Sequence, residues 1–196
     1  MKLNKIMKKT ILATMAVLMA TSLSFTGCSN GDDDPTPGST PTGDQRTALG
    51  LSGYYNWEGS PYTISEQSDS GVTISYSGTA PTQYASGSGC DIAFGATKKV
   101  VVKVKNNGND VAHVKIDVKN DSEDTSAVTA ATIGGANADV QWGGCEADIS
   151  AGETTEYVLT INPSVNADKF VVCLNSNLVT NPTSGSITIS NALKYN

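Results

Sequence analysis

The chain has 196 residues, with 13 basic and 19 acidic side chains and a net charge of −6. Four of the lysines lie within the first nine residues, so everything after them carries 9 basic against 19 acidic residues, a net charge of −10. This acidic balance excludes a nucleic-acid-binding stripe and electrostatic attachment to an anionic membrane surface. The length suits one ordinary folded domain of roughly 150 residues with a sizeable core.

The N-terminus has the layout of a secretory signal. The lysine-rich start is followed by an apolar stretch over residues 11–25. At about 15 residues this stretch is shorter than the roughly 20 that span a bilayer as a helix, so a permanent transmembrane anchor is the less favoured alternative. We therefore predict that residues 1–27 are a signal peptide that is removed.

The signal ends in Phe25-Thr26-Gly27-Cys28, which resembles a bacterial lipobox with Phe25 in place of the usual Leu. The resemblance implies lipidation of Cys28, and several acyl chains are needed for stable anchoring. The acidic run 32–34 resembles a surface-export signal, or is simply a solvated part of the acidic Pro/Thr/Gly-rich linker that we expect over residues 28–49. These features predict an exported protein, lipid-anchored in the outer membrane and facing the cell surface.

The remaining residues, 50–196, are predicted to form a single all-β domain. From Tyr62 onward, apolar and polar residues alternate with the period of half-buried strands, and no window shows a helical period. After the turn at 106–110, residues 111–119 place Val114, Ile116 and Val118 inward. Many short strands and 19 glycines indicate an antiparallel, jelly-roll-like β-sandwich. Segment 127–140 is ambiguous, and its Gly-Gly pair favours a loop over a helical turn.

Three cysteines remain after Cys28 is assigned to lipid. Cys90 and Cys145 each follow a glycine and are interpreted as loop residues, whereas Cys173 lies inside an apolar run. Export permits disulfides, so we expect a Cys90–Cys145 bridge. With one histidine and no closely spaced cysteine pair, the sequence offers no zinc cluster.

Catalytic motifs are scarce. The chain lacks a phosphate-binding loop and a nucleophile elbow, and its one imidazole, His113, lies in the middle of a predicted strand. Glu146 and Asp148, near Trp142, are the best carboxylate pair for a small glycoside hydrolase, which needs two acids across a cleft. We expect that the protein is not an enzyme.

The aromatic residues give the stronger functional hint. Tyr54, Tyr55 and Trp57 lie together ahead of the first clear strand, Trp142 lies between polar and glycine residues, and Tyr84 lies in a predicted loop. Aromatic planes stack on the apolar faces of sugar rings. We therefore interpret these residues as a ligand-binding set, with closure of the core by the two tryptophans as the alternative.

Segments 54–57, 74–79, 102–121 and 184–195 together resemble jelly-roll, galactose-binding-like carbohydrate-binding modules. The resemblance implies a ligand across a concave face, Trp57 and Tyr76 as stacking residues, and Lys115, Asp117 and Lys119 as hydroxyl partners. A structural calcium is compatible with it. However, Asn191 replaces the acid often found near the final strand, so no metal ligand is assigned.

The sequence thus favours non-catalytic binding of a plant-type polysaccharide or oligosaccharide by a lipid-anchored surface protein. The alternative is a structural or adhesive Ig-like lipoprotein without a sugar site. Full burial of both Trp57 and Trp142 would favour that alternative.

Overall fold

A computed structural model describes residues 45–83, 85–141, 143–176, 178 and 182–196. The predicted signal peptide, Cys28, Tyr84 and Trp142 lie outside this part. No helix long and apolar enough to cross a membrane occurs among the described residues. Besides the 3₁₀ helix Leu51–Gly53, they form strands β1 Arg46–Ala48, β2 Tyr55–Asn56, β3 Thr63–Ser68, β4 Gly71–Ser77, β5 Ser88–Asp91, β6 Lys99–Asn106, β7 Ala112–Asn120, β8 Thr125–Ser126, β9 Val128–Ile133, β10 Ala136–Ala138, β11 Cys145–Ile149, β12 Thr154–Ile161, β13 Lys169–Leu174 and β14 Ser184–Tyr195.

The strands form two antiparallel sheets around a shared core. The eight-stranded sheet runs in the order β10-β9-β12-β6-β14-β4-β3, and β1 pairs with the C-terminal part of β14. The six-stranded sheet runs in the order β11-β7-β13-β5-β2, and β8 pairs with the end of β7. This arrangement confirms the predicted all-β antiparallel sandwich.

The period-two pattern decides which face of each strand enters the core. In β7, Val114, Ile116 and Val118 are fully buried, as the sequence predicted. The alternating apolar residues of β6, β12 and β14 are buried in the same way from the opposite sheet. Because successive side chains of a strand point to opposite faces, this burial turns the polar half of β7 to the outside of the six-stranded sheet.

Hydrogen bonds also link the two sheets, and one of them joins β12 to β7 across the core. Tyr157 on β12 is fully buried, and its hydroxyl donates to the backbone carbonyl of Val114 on β7 at 3.0 Å. A buried phenol needs such a partner, since an unsatisfied polar group in the core is costly. The bond ties the register of β7 to that of β12.

Two segments differ from the sequence prediction, the start of the domain and residues 127–140. β1 lies within the predicted linker, and the adjacent Leu49 is only 1% exposed, so ordered structure begins before residue 50. The ambiguous segment 127–140 contains the hairpin β9–β10, whose turn is Gly134-Gly135 with φ of +59° and +85°. Two consecutive left-handed residues are what a tight two-residue hairpin requires, so the glycines mark a turn between strands.

The predicted Cys90–Cys145 disulfide is wrong. Both thiols are free and buried, on β5 and β11 rather than in loops. Strands β7 and β13 lie between β5 and β11, so three strand spacings, about 14 Å, separate the two cysteines. A disulfide needs α-carbons within about 7 Å. Cys173 is also free, and is partly exposed.

We predict that reductant leaves the melting temperature of this domain unchanged, because no disulfide joins its strands. Burial raises the pKa of Cys145 to about 12 and raises those of Cys90 and Cys173, so all three thiols should react slowly while the domain is folded. Thiol titration with and without denaturant tests both points. A large drop in melting temperature on reduction would contradict the free-thiol arrangement.

Candidate functional site

The candidate site is the surface of the six-stranded sheet that points away from the core, which we call the outer face. Register and burial assign its members on β2, β5, β7, β11 and β13. They are Tyr55, Gly89, Asp91, His113, Lys115, Asp117, Lys119, Glu146, Asp148, Lys169, Val171 and Cys173.

Trp57 follows β2 and lies on the same side of the sheet as Tyr55. A β-carbon added to Gly87 would come within 2.5 Å of Cζ3 of the indole, so the ring lies directly against the Gly87 backbone. The backbone N–H of Trp57 donates to the Gly87 carbonyl at 3.2 Å. Trp57 is partly exposed and does not belong to the buried core. The alternative in which Trp57 closes the core is therefore not what the structure shows.

The segment Gly87-Ser88-Gly89-Cys90 explains why the ring can approach so closely. Ser88 and Cys90 point inward and are buried, and the Ser88 hydroxyl lies 3.0 Å from the hydroxyl of Tyr54. The two glycines therefore present bare backbone on the outer face. Any larger residue at Gly87 would occupy the volume that the indole fills.

A chain of ion pairs closes one end of the outer face. Lys169 Nζ lies 2.6 Å from Asp121 and 3.6 Å from Asp91, whose carboxylate also accepts a hydrogen bond from the Tyr55 hydroxyl at 3.1 Å. Partial burial alone would lower the pKa of Lys169, but its hydrogen bonds with Asp121 and Tyr55 outweigh this and raise it. Tyr55 and Lys169 are thus held in place before any ligand arrives.

Lys119, expected to contact ligand hydroxyls, lies in the same chain of charges. Its Nζ is 2.6 Å from Asp124 and 3.6 Å from Asp121. Burial lowers its pKa, and the hydrogen bond to Asp124 more than compensates, so the net shift is upward. Lys119 keeps further N–H donors in addition to these contacts.

Asp117 was expected to be a second hydroxyl partner, but its carboxylate is occupied within the protein. It is only 6% exposed and accepts hydrogen bonds from the Ser126 hydroxyl at 2.6 Å and the Val118 backbone N–H at 2.7 Å. Burial is the largest influence on its pKa, which is raised above the ordinary value. Asp117 therefore supports the sheet around Lys115 and is not a ligand contact.

The best carboxylate pair in the sequence surrounds a histidine. Asp148 Oδ1 lies 2.8 Å from His113 Nδ1, and Glu146 Oε2 lies 3.4 Å from His113 Nε2. Both acids lie on β11, the neighbour of β7, and both contact the imidazole of His113. They do not face each other across a cleft, as hydrolysis of a glycosidic bond would require.

Two of the predicted ligand-binding tyrosines belong to the core. Tyr54 is 3% exposed and Tyr76 is 4% exposed. The ring of Tyr76 packs edge-on against Tyr62 with centroids 5.9 Å apart, and its hydroxyl accepts a hydrogen bond from Asn175. Their assignment as ligand contacts is wrong, because Tyr76 falls on an inward position of β4 and the Tyr54 ring, just before β2, is buried against Ser88. Of the predicted set, the outer face brings together Tyr55, Trp57, Lys115 and Lys119.

The structure also adds residues that the sequence interpretation missed. Gly87, Gly89, Asp91 and Lys169 all contribute to the outer face. For Lys169, the sequence signal is the period-two alternation of residues 169–174, a segment that also fits a single apolar run. The alternation of glycine with small inward residues at 86–90 was a second signal.

No family model and no curated protein matches the chain. Among solved structures, it is similar to a family 29 carbohydrate-binding module at 18% identity and a TM-score of 0.45, over 77% of this chain and 88% of that one. The family 29 module from Piromyces equi is 15% identical, with a TM-score of 0.44, over 77% and 89% of the two chains. A CBM29-2 variant complexed with cellulohexaose is 17% identical, with a TM-score of 0.45, over 77% and 90%. These likenesses do not assign the chain to a family.

We predict that Gly87→Ala displaces the Trp57 ring, because the new methyl group would overlap the indole. The overlap should lower the free energy of unfolding by about 1–3 kcal/mol, the usual cost of overpacking. Tryptophan emission in a Trp142→Phe background, where Trp57 is the sole indole, should also change. Gly53→Ala is the matched control, since its nearest neighbour, Cys90 Sγ, would lie 3.8 Å from the added carbon. Identical spectra and melting curves for the two variants would refute the close approach.

Proposed function

We propose that the protein is a non-catalytic glycan-binding protein that uses the outer face of the six-stranded sheet. The observation that supports this most directly is the partly exposed indole of Trp57 lying against bare glycine backbone. An aromatic plane held rigidly on a sheet offers dispersion contact to a sugar ring at little entropic cost. Tyr55, Lys115 and Lys119 lie on the same face and would hydrogen-bond the hydroxyls.

The charges of the outer face favour a neutral polysaccharide. Lys119 and Lys169 are already engaged by Asp121, Asp124 and Asp91. The edge strand β11 adds two further acids, Glu146 and Asp148. The acids of the outer face and of the adjoining turn outnumber its lysines, so a uronic acid chain would be repelled here, whereas a neutral plant-type glycan would not.

The structural or adhesive alternative lacks a comparable observation. Full burial of both tryptophans would have favoured it, and Trp57 is only partly buried. We therefore keep glycan binding as the single proposed function.

We further propose that the domain is displayed at the cell surface on a lipid attached to Cys28. The support is the arrangement of the first 34 residues: a lysine-rich start, a short apolar stretch, the Phe-Thr-Gly-Cys sequence and an acidic run. The acidic Pro/Thr/Gly-rich segment that follows would let the domain reach glycans in the nearby volume.

For the outer face, Trp57→Ala should weaken glycan binding by about 1–3 kcal/mol, the range of a dominant aromatic contact. This corresponds to a roughly 5- to 150-fold lower affinity. The melting temperature should change little, whereas truncating a core tryptophan costs about 3–5 kcal/mol of stability. Affinity electrophoresis on β-glucans, xyloglucan, mannans and xylans measures the binding.

Tyr195→Ala is the matched control, because Tyr195 is a partly exposed ring on the eight-stranded sheet, under Lys99 Nζ at 4.2 Å. It should leave glycan binding intact. Polygalacturonate and alginate gels should not retard the wild type. If none of the neutral polysaccharides retards it, or if Trp57→Ala and Tyr195→Ala bind alike, glycan binding through Trp57 is refuted.

For the anchor, Cys28→Ser should block lipidation, because the thiol is the group that accepts the lipid. The variant should accumulate as uncleaved precursor or as soluble protein, as judged by fractionation and electrophoretic mobility. A variant that stays in the membrane fraction with unchanged mobility would show that Cys28 is not the anchor.

A further inference from the structure

A cavity lies at one end of the sandwich and does not include Trp57 in its described lining. It has a volume of about 370 Å³ and lies where the turn between β6 and β7 meets the end of β4 and the start of β14. We call it the end pocket. Its lining includes Ser75, Ser77, Asp110, Val111, Ser184 and Ser186.

The wall of the end pocket is held rigidly by a buried asparagine. Asn106 is 1% exposed, and its Nδ2 donates to the backbone carbonyls of Asp110 at 2.7 Å and Ile149 at 2.9 Å. Its Oδ1 accepts the backbone N–H of Gly108 at 2.8 Å. Both polar atoms of the Asn106 side chain therefore hold the turn and tie it to β11, so that the pocket is formed before any ligand binds.

Three side chains of the lining are hydrogen-bonded within the protein, those of Tyr76, Asn106 and Asn175. By contrast, the Asp110 carboxylate and the hydroxyls of Ser75, Ser77, Ser184 and Ser186 make no side-chain hydrogen bond or ion pair in the described part of the chain. Nearby on the same sheet surface, polar groups do pair: the Thr73 and Thr188 hydroxyls lie 2.9 Å apart, and Asn107 donates to Thr188 at 2.8 Å. The lining of the cavity thus contains donors and acceptors that no described side chain occupies.

The chemistry of the lining selects a neutral polyhydroxyl ligand. The described lining contains no basic side chain, and its one charged group is the Asp110 carboxylate, which would repel an anion. One carboxylate is too few for a calcium site, which takes 6–8 oxygen ligands including several acids. Val111, 54% exposed beside these hydroxyls, supplies the apolar surface that the face of a sugar ring requires.

We propose that the end pocket is a second glycan site that holds the terminal hexose of a neutral chain. The cavity is at the small end of the usual range for ligand pockets, about 300–1,000 Å³, which suits one sugar unit rather than a long segment. The open outer face, in contrast, would bind interior sugar units of a polysaccharide. This second site does not depend on binding at Trp57.

The test is a titration of the ¹⁵N-labelled full chain with the methyl glycosides of glucose, galactose, mannose and xylose, followed by backbone amide shifts. At least one glycoside should move the amides of Gly108, Asp110 and Gly185. Ser77→Trp, which places a large side chain at the rim, should abolish these shifts. Asp110→Ala should weaken the affinity about tenfold, the loss expected for one hydrogen bond to a charged group.

Two controls separate this site from the outer face. Thr160→Trp adds the same bulk at an exposed position of β12 and should leave the shifts unchanged. Trp57→Ala should also leave them unchanged, even if it abolishes polysaccharide retardation. The end-pocket proposal is overturned if no glycoside moves these amides, if Ser77→Trp and Thr160→Trp behave alike, or if Trp57→Ala removes the shifts.

Discussion

The burial of the apolar half of β7 is the constraint on which the outer face depends. Val114, Ile116 and Val118 are fully buried, and the hydroxyl of Tyr157 on β12 donates to the Val114 carbonyl at 3.0 Å across the core. A slip of β7 by one residue would exchange its two faces, taking Lys115 and Lys119 into the core and Val114 to the surface. The same burial therefore determines which residues of β7 reach the outer face.

On the outer face, a partly exposed aromatic ring is held in one position by the backbone beneath it. The Trp57 indole packs on Gly87, while the residues between the glycines, Ser88 and Cys90, belong to the core. Glycine in a strand loses packing and backbone entropy. Here the loss is offset by the contact with the large indole ring, which covers the bare backbone. On the same outer face, the ion pairs of Lys169 and Lys119 hold these two side chains in place.

The outer face and the end pocket use the same strand in different ways. β7 begins beside the end pocket, at the turn that Asn106 holds, and its outward residues then continue along the outer face. The outer face is open and partly aromatic, and its polar groups are largely paired. The end pocket is concave, and its lining includes Asp110 and four serines whose side chains have no partner among the described residues. This difference suits two modes of binding, one to the interior of a glycan chain and one to its terminal sugar.

The sequence alone determined the fold class and the inward residues of the long strands. Period two is a local property, and it predicted Val114, Ile116 and Val118 as buried, as they are. The clustering of aromatic residues ahead of the first strand directed attention to Trp57.

The interpretation failed at Tyr76, although the alternation with Val72 and Ile74 already places this ring inward. It also failed at Tyr54, which precedes β2 and is buried by the packing of the two sheets. It failed at Cys90 and Cys145, because their pairing depends on which strands become neighbours. Whether two cysteines can meet depends on strand order in the sheet, which brings β7 and β13 between them. Strand order is a long-range property, and no local pattern in the chain encodes it. For the same reason only the tertiary structure decided that Gly87 would lie under Trp57, and that four serines and Asp110 from distant segments would surround one cavity.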